Sequence, residues 1–244
     1  MDLGIRTKVA LITAASRGLG FYSAMALGIE GVKVVINSRD AGHLAAAASE
    51  LSQLDIEVTA IKGDICDKET PARLVEATME KYGSIDIVVA NANGPRPVRS
   101  LDVTDEDILN AVNNNMLATV RLFQNSLKFM KVTGFGRLIS ISSYSIEQAI
   151  PNLSLSNLAR KSLFAWTKTA AFDLRDEVND ITMNTICPGV HLTDRIRELH
   201  RDTLTLIAGN PKDFGEVVAF IASLQAKFIN GAKLVVDGGE TLNI

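Results

Sequence analysis

Eight residues, Thr13–Gly20 (TAASRGLG), stand between an apolar run and an amphipathic stretch and carry the first legible chemistry of the chain. Glycines at a strand-to-helix junction let the backbone come close to a diphosphate. The helix start adds unpaired N–H groups and the positive end of its dipole. A glycine pair alone says little, but its place directly after the first strand candidate marks a dinucleotide-binding turn. Thr13, Ser16, Arg17, Gly18, Leu19 and Gly20 are its candidate contacts. The second strand candidate ends in Asn37-Ser38-Arg39, with no acid where NAD-specific sites hold the ribose 2′-hydroxyl. Beside Ser38, Arg17 and Arg39 suit a 2′-phosphate, which guanidinium groups grip by charge-assisted forks. Asp40 stands next to them and opposes that choice. NADP(H) is therefore the favoured cofactor, with NAD(H) as the alternative.

Such a turn needs a scaffold, and the hydrophobic pattern supplies one. Strand-length apolar runs fall at Lys8–Thr13, Lys33–Ser38, Val58–Lys62, Ile85–Ala90, Arg137–Ser142, Ile181–Ile186 and Lys233–Val236. Helical patterns lie between them at Gly18–Glu30, Ala41–Leu54, Thr70–Tyr82, Asp105–Lys131, Ser154–Val178 and Pro211–Leu224. Strands that are apolar without alternation are buried on both faces, which means a parallel sheet. Strict alternation with helices means βαβ units. The expected fold is α/β: a single Rossmann-type doubly wound domain over residues 1–244, with a seven-stranded parallel sheet flanked by helices.

Bulk properties exclude several classes. A net charge of −3 is wrong for a dedicated nucleic-acid binder. The N-terminal apolar run ends in turn residues and reads as a first strand, not as a signal peptide or membrane span. Cys66 and Cys187 lie far apart and in no metal-ligand spacing, so no metal is expected, and two thiols fit the reducing cytoplasm. A serine hydrolase is excluded in the same way, because no GxSxG elbow occurs.

The turn Thr13–Gly20 resembles the TGxxxGxG motif of the short-chain dehydrogenase/reductase family. VVANANG (Val88–Gly94), LISISS (Leu138–Ser143), CPGVHLTD (Cys187–Asp194) and the closing VDGGET (Val236–Thr241) extend the resemblance over the whole length. It is strongest to the branch of 3-oxoacyl-carrier-protein reductases, in a divergent group with an SN pair as in LSNLARKS. The resemblance implies hydride transfer between a nicotinamide and a small-molecule carbonyl or alcohol. It further implies that Asp64 and the Ile65 amide hold adenine, and that Asn91, Ala92 and Asn93 line the cofactor. Pro188, Gly189, His191 and Thr193 would border the nicotinamide. Ala14, Ala90 and Asn93 depart from the family pattern, so an adjusted cofactor site is expected.

The departures at the chemical end are larger. Ser143 matches the family's serine, and Asn115 its relay asparagine, with Asn113 and Asn114 as register alternatives. The catalytic Tyr and Lys are replaced by Ser156 and Arg160, a register that LFAWTKTAAFDL fixes independently. A phenol titrates near pKa ~10 and can be drawn lower by a cation; an aliphatic hydroxyl is a far weaker and shorter acid. By the resemblance Arg160 would bind the cofactor, donating hydrogen bonds to the nicotinamide ribose, but it stays protonated and passes no proton onward. Lys161 points about 100° away around the helix and is expected in solvent. Tyr144, Glu147 and His191 are the side chains that could replace the acid, each with an ordinary packing role as its alternative. The reading is thus an oxidoreductase with an atypical site; the alternative is a silent NADP(H)-binding protein acting as sensor or assembly subunit.

The resemblance also implies a homotetramer or homodimer sealed by the two long helices. Phe123 and Phe129 on one, and Phe164, Trp166 and Phe172 on the other, are candidates for that seam or for the core. Thr193–Asp202 reads as a basic helix over the substrate mouth. Arg195, Arg197, His200 and Arg201, with Arg96 and Arg99 opposite, could meet an anionic substrate there; solvated helix charges are the plainer reading.

Overall fold

The strands β1 (Val9–Ile12) and β4 (Ile87–Ala90) are buried at every residue, so both faces must be covered. The computed structural model, which describes residues 1–175, 180–193 and 208–242, covers them with helices on each side. The remaining strands are β2 (Lys33–Ser38), β3 (Val58–Lys62), β5 (Phe135–Ile141), β6 (Asp180–Pro188) and β7 (Lys233–Val236). All seven are parallel, in the order β3-β2-β1-β4-β5-β6-β7. Successive side chains along a strand point to opposite faces, and the core divides accordingly. Ile12, Val34 and Ile36 face Phe21, Leu27 and Phe214 on one side. Leu11, Val35, Val88 and Leu138 face Leu122, Phe123 and Leu174 on the other. The strand order reverses between β1 and β4, which opens a crevice at their carboxyl ends.

The helices are α1 (Gly18–Ile29), α2 (Ala41–Gln53), α3 (Thr70–Tyr82), α4 (Asp105–Val112), α5 (Ala118–Thr133), α6 (Ser154–Arg175) and α7 (Pro211–Ala222). The sequence reads α4 and α5 as one unbroken helix. The structure instead inserts a π-turn at Asn113–Leu117. Polar side chains account for it. Asn113 Nδ2 donates to the Cys66 carbonyl at 3.0 Å, and Arg121 Nη1 donates to Asn113 Oδ1 at 2.9 Å. Such wide turns often mark functional places, and this one carries Asn115. The stretch 176–178, expected at the end of α6, lies outside the described residues.

One charge is buried where the pattern calls for a strand residue. Arg137 of β5 has no exposed side-chain surface. Its guanidinium donates to the carbonyls of Ser223 (3.2 Å), Gly136 (3.0 Å) and Asp180 (2.8 Å), and pairs with the Asp180 carboxylate. It also lies 4.5 Å from the centre of the Phe135 ring. Removing it strips three buried carbonyls of a donor. Arg137→Leu is expected to cost about 3 kcal/mol or more, and Asp180→Asn, whose partner keeps its other bonds, about 1 kcal/mol. Urea denaturation of the two variants checks the order.

Candidate active site

The crevice is laced by one residue from each side. Thr13, just past β1, donates its hydroxyl to the Asn91 carbonyl at 2.8 Å and accepts from the Asn91 amide at 3.0 Å. The Asn91 side chain then donates to the Ala14 carbonyl at 3.2 Å. Ala14 sits at φ 46°, in the left-handed region that favours glycine. The departure from the glycine pattern is therefore met by a strained backbone. Gly20, buried at the start of α1, answers the same constraint differently. A Cβ there would stand 2.6 Å from the Ala14 carbonyl and 2.9 Å from Asn91 Nδ2. Leu19 beside it packs on the core.

The start of α1 has no side-chain cap and no acid in its first turn, whereas α4 has a full capping box from Thr104 and Asp107. Unsatisfied N–H groups at an uncapped helix start suit an anion such as a diphosphate. Gly18, at φ 61°, leaves ordinary room to Thr193 above it. Ser16 Oγ donates to Ser38 Oγ at 3.0 Å, with Arg17 exposed beside it. Asp40 caps α2, accepting from the His43 amide at 2.8 Å. Arg39 is exposed and 3.6 Å from Asp64. Burial alone would raise the Asp64 carboxyl. The Cys66 amide and Arg39 outweigh it and hold the group below the usual carboxylate range. Ile65 turns its side chain into the core. These residues fit a phosphorylated dinucleotide.

The chemical end gathers at the tops of β4 and β5. Ala90 closes β4 in the core, and Ala92 and Asn93 lead out of it. Asn115 is buried and donates to the Asn93 carbonyl at 2.8 Å, while its Oδ1 is buried without a partner. Ser143 ends β5's extension and accepts from the Ser145 amide at 3.1 Å. Arg160 Nε donates to Ser156 Oγ at 3.2 Å, one helical turn away, and Nη1 donates to the Ile141 carbonyl at 3.2 Å. The expected pair is thus joined, and its charge is anchored to the end of β5. Lys161 is not a free solvent lysine: its amine donates to the Ile146 carbonyl at 2.6 Å, bracing the loop after Ser143.

All three candidate replacements for the missing acid have other partners. Tyr144 donates its phenol to Glu240 at 3.1 Å; burial, and then that carboxylate, push its pKa up to about 12. Glu147 is ion-paired with Lys233. His191 is buried edge-on against Phe214, with Nδ1 3.0 Å from the Gly189 carbonyl. The Gly189 amide in turn donates to the Val236 carbonyl, while the Gly189 carbonyl keeps a second lone pair. Both thiols are held protonated near pKa 12, Cys66 by burial and then Asp64, Cys187 by burial alone.

Several expectations shift. Arg96 makes a two-pronged pair with Asp107 of α4, and Arg99 pairs with Asp102 in the turn before that helix, so both mouth arginines already have acidic partners. The Phe123 and Trp166 rings meet tilted at 6.4 Å, Phe123 within the core and Trp166 and Phe129 partly buried against it. Phe164 is half-buried beneath Lys233, and Phe172 is 58% exposed. Arg195, Arg197, His200 and Arg201 lie outside the described residues. The sequence reading missed the partners of the closing VDGGET segment. Asp237 accepts from Thr241 at 2.8 Å, and Glu240 takes the Tyr144 phenol. Among the described residues no three His, Cys, Asp or Glu side chains are placed to share a metal, and no helix is long and apolar enough to cross a membrane.

A family model described as enoyl-(acyl carrier protein) reductase matches residues 13–241. Tropinone reductase-like 3 of Erythroxylum coca is 30% identical over 243 residues, covering 95% of this chain and 92% of that protein. The 3-oxoacyl-[acyl-carrier-protein] reductase of a Synechocystis strain is 28% identical over 242 residues, covering 96% and 97%. The structure of L-sorbose reductase from Gluconobacter frateurii, complexed with NADPH and L-sorbose, superposes with a TM-score of 0.92 at 26% identity, covering 100% of both chains.

Two neighbouring substitutions should act in opposite directions. Ala14→Gly relieves a left-handed alanine and is expected to be neutral or to stabilise by up to about 1 kcal/mol. Gly20→Ala forces the turn open and is expected to cost about 1–3 kcal/mol. Thermal unfolding checks both. For Tyr144, ultraviolet difference titration of wild type against Tyr144→Phe should assign it an ionisation at about 12. Glu240→Gln removes one of the raising charges and should move that ionisation down.

Proposed function

Because the chain belongs to the short-chain dehydrogenase/reductase family, as the match over residues 13–241 and a 30% identical relative show, we propose that it is an NADP(H)-dependent oxidoreductase acting on a small-molecule carbonyl or alcohol. The observation that carries this reading is one crevice. It has an uncapped helix start and a Ser16–Ser38 pair flanked by arginines at one end, and Ser143, Ser156, Asn115 and Arg160 at the other. The NADPH bound by the L-sorbose reductase of the same fold supports the choice of cofactor.

The backbone at Gly18–Gly20 takes the diphosphate, and Arg17 and Arg39 take the 2′-phosphate. Asp64 and Ile65 border adenine; Thr13, Asn91, Ala92 and Asn93 line the ribose side; Pro188, Gly189, His191 and Thr193 edge the nicotinamide. The nicotinamide supplies the hydride when bound. Ser143 and Ser156 donate hydrogen bonds to the substrate oxygen. Ser156 Oγ already accepts from Arg160 Nε, which leaves its own proton for that task. The fixed charge of Arg160 favours an alkoxide but passes on no proton. The proton must therefore come from solvent through a serine hydroxyl, and slow turnover follows. The partnerless Asn115 Oδ1 is the acceptor through which such a relay would be ordered.

A second reading, a silent NADP(H)-binding protein acting as sensor or assembly subunit, is favoured by the inward bonds of Arg160 and by the engagement of Tyr144, Glu147 and His191 elsewhere. In either case residues 1–244 act as one domain in the cytoplasm. The chain pairs as a homodimer or homotetramer through α4–α6, where Leu109, Leu158 and Phe172 are exposed.

NADPH oxidation across a panel of carbonyl compounds separates the readings. Turnover that Ser143→Ala lowers at least about a hundredfold supports the enzyme. Tight NADPH binding without turnover supports the silent binder. The double change Ser156→Tyr with Arg160→Lys restores a titratable acid and its cation, and is expected to raise kcat about tenfold or more.

A further inference from the structure

Three consecutive asparagines, Asn113, Asn114 and Asn115, lie in the π-turn between α4 and α5, whose wide bond runs from the Ala118 amide to the Asn113 carbonyl. The third reaches the chemical end, where its Nδ2 holds the Asn93 carbonyl at 2.8 Å. The Asn113 side chain leaves the helix. Its Nδ2 donates to the Cys66 carbonyl at 3.0 Å and to Asn114 Oδ1 at 3.1 Å, and its Oδ1 accepts from Arg121 Nη1 at 2.9 Å. Beyond that contact the Cys66 amide donates to Asp64 Oδ1 at 3.0 Å, and Asp64 lies 3.6 Å from Arg39. Polar contacts therefore run from the loop proposed to border adenine to the turn that carries Asn115. We infer that Asn113 is a positioning residue, whose bond to the Cys66 carbonyl passes occupancy of the adenine border on to the turn and so seats Asn115. The inference rests on the NADP(H) reading of this crevice and gives Asn113 no contact with the substrate.

The register of this turn is not set by its own residues. The three side chains are alike, and a π-turn takes in one residue more than the α-turn it replaces. Relaxing it to α-geometry would carry the asparagines about 100° around the axis and bring Asn114 toward the place of Asn115. Contacts from outside oppose this, and Asn113 receives two of them. Arg121 rides on α5 and moves with the turn. Cys66 belongs to the loop after β3 and does not. Of these two partners, Cys66 alone can report on the nucleotide end. Its loop is placed to respond, because the Asp64 side chain is half-buried and that of Arg39 is exposed. A ligand that displaces Arg39 or bonds Asp64 changes the pull on the Cys66 amide. Without the tie to Cys66, the buried and partnerless Asn115 Oδ1 loses its fixed direction.

Amide hydrogen exchange on the full-length protein, with adenosine 2′,5′-bisphosphate as the probe, tests this. The probe carries adenine and the 2′-phosphate and has no nicotinamide end to meet Asn115. In wild type its binding is expected to slow exchange across Asn113–Leu117 about three- to tenfold. In Asn113→Ala the probe should still bind, within about threefold of wild type by calorimetry, while the slowing is lost. Asn113→Asp keeps an oxygen for Arg121 but offers Cys66 no donor, and should lose the slowing as well. Circular dichroism confirms that each variant is folded. With any carbonyl compound that wild type reduces, Asn113→Ala should lower kcat about tenfold and leave KM for NADPH within about threefold. The inference alone is overturned if the bound probe leaves exchange across the turn of wild type unchanged, or if either variant keeps the slowing. A wild type that binds neither the probe nor NADPH overturns the cofactor reading and this inference together.

Discussion

Two hydrogen bonds between Thr13 and the Asn91 backbone hold the crevice in place. They join the ends of β1 and β4, the neighbours at which the strand order reverses. Helices leave in opposite directions from such a point, and the Thr13 amide bond to the Val89 carbonyl and the Asn91 side-chain bond to the Ala14 carbonyl add to the same seam. The pair also fixes what each strand carries. From Thr13 the chain runs into the strained Ala14 and on to α1; from Asn91 it runs to Asn93, whose carbonyl holds Asn115. One short contact thus sets the distance between the nucleotide end and the chemical end. Its energy is modest, about 1 kcal/mol per bond, but its geometric consequence reaches both ends.

In the proposed reading, Ser156 and Arg160 stand where the family pattern calls for a tyrosine and a lysine. Ser156 and Arg160 remain one helical turn apart and bonded, so α6 still presents a hydroxyl beside a cation. The difference is in titration. A phenol beside an ammonium is tuned by that charge toward neutral pH, whereas a serine beside a guanidinium is not brought near it. Tyr144 illustrates the opposite tuning: burial and Glu240 raise its pKa instead of lowering it. Position in the loop alone made it a candidate; its surroundings make it a weak acid.

The sheet was legible in the sequence because both-face burial leaves a pattern that only a parallel interior satisfies. β2, β3, β7 and α3 fall at the expected bounds. The π-turn was not legible, because Asn113 is an unremarkable helix residue until Cys66 and Arg121 reach it from elsewhere. Arg137 was read as a strand end, since nothing local tells that Ser223 and Asp180 offer carbonyls to a buried guanidinium. The partners of Tyr144, Glu147 and Lys161 were hidden for the same reason. Motif spacing places a residue in a loop, but long-range contacts decide its charge state. The aromatic residues of α5 and α6 make the point by exposure: Phe123 and Trp166 went to the core, and only Phe172 stayed outside.

The two ends of the crevice differ in what they ask of side chains. In the proposed reading the nucleotide end would rely on backbone N–H groups, hydroxyl pairs and guanidinium charges, none of which needs to change protonation. The chemical end, in the usual arrangement of such a site, relies on a proton moving at a chosen pKa. In that reading Ser156 and Arg160 bear on proton transfer and on the nicotinamide ribose, and the glycine turn and the Ser16–Ser38 pair lie apart from them. The strained Ala14 is a departure at the nucleotide end, and Gly18 and Gly20 still allow a close backbone approach there. A chain that retained the costly half of binding while giving up proton transfer would be expected to relax the glycine turn as well. The uncapped start of α1 argues that this has not happened: an unused helix end gains about 1 kcal/mol from an ordinary cap, as α4 does with Thr104, and α1 forgoes it.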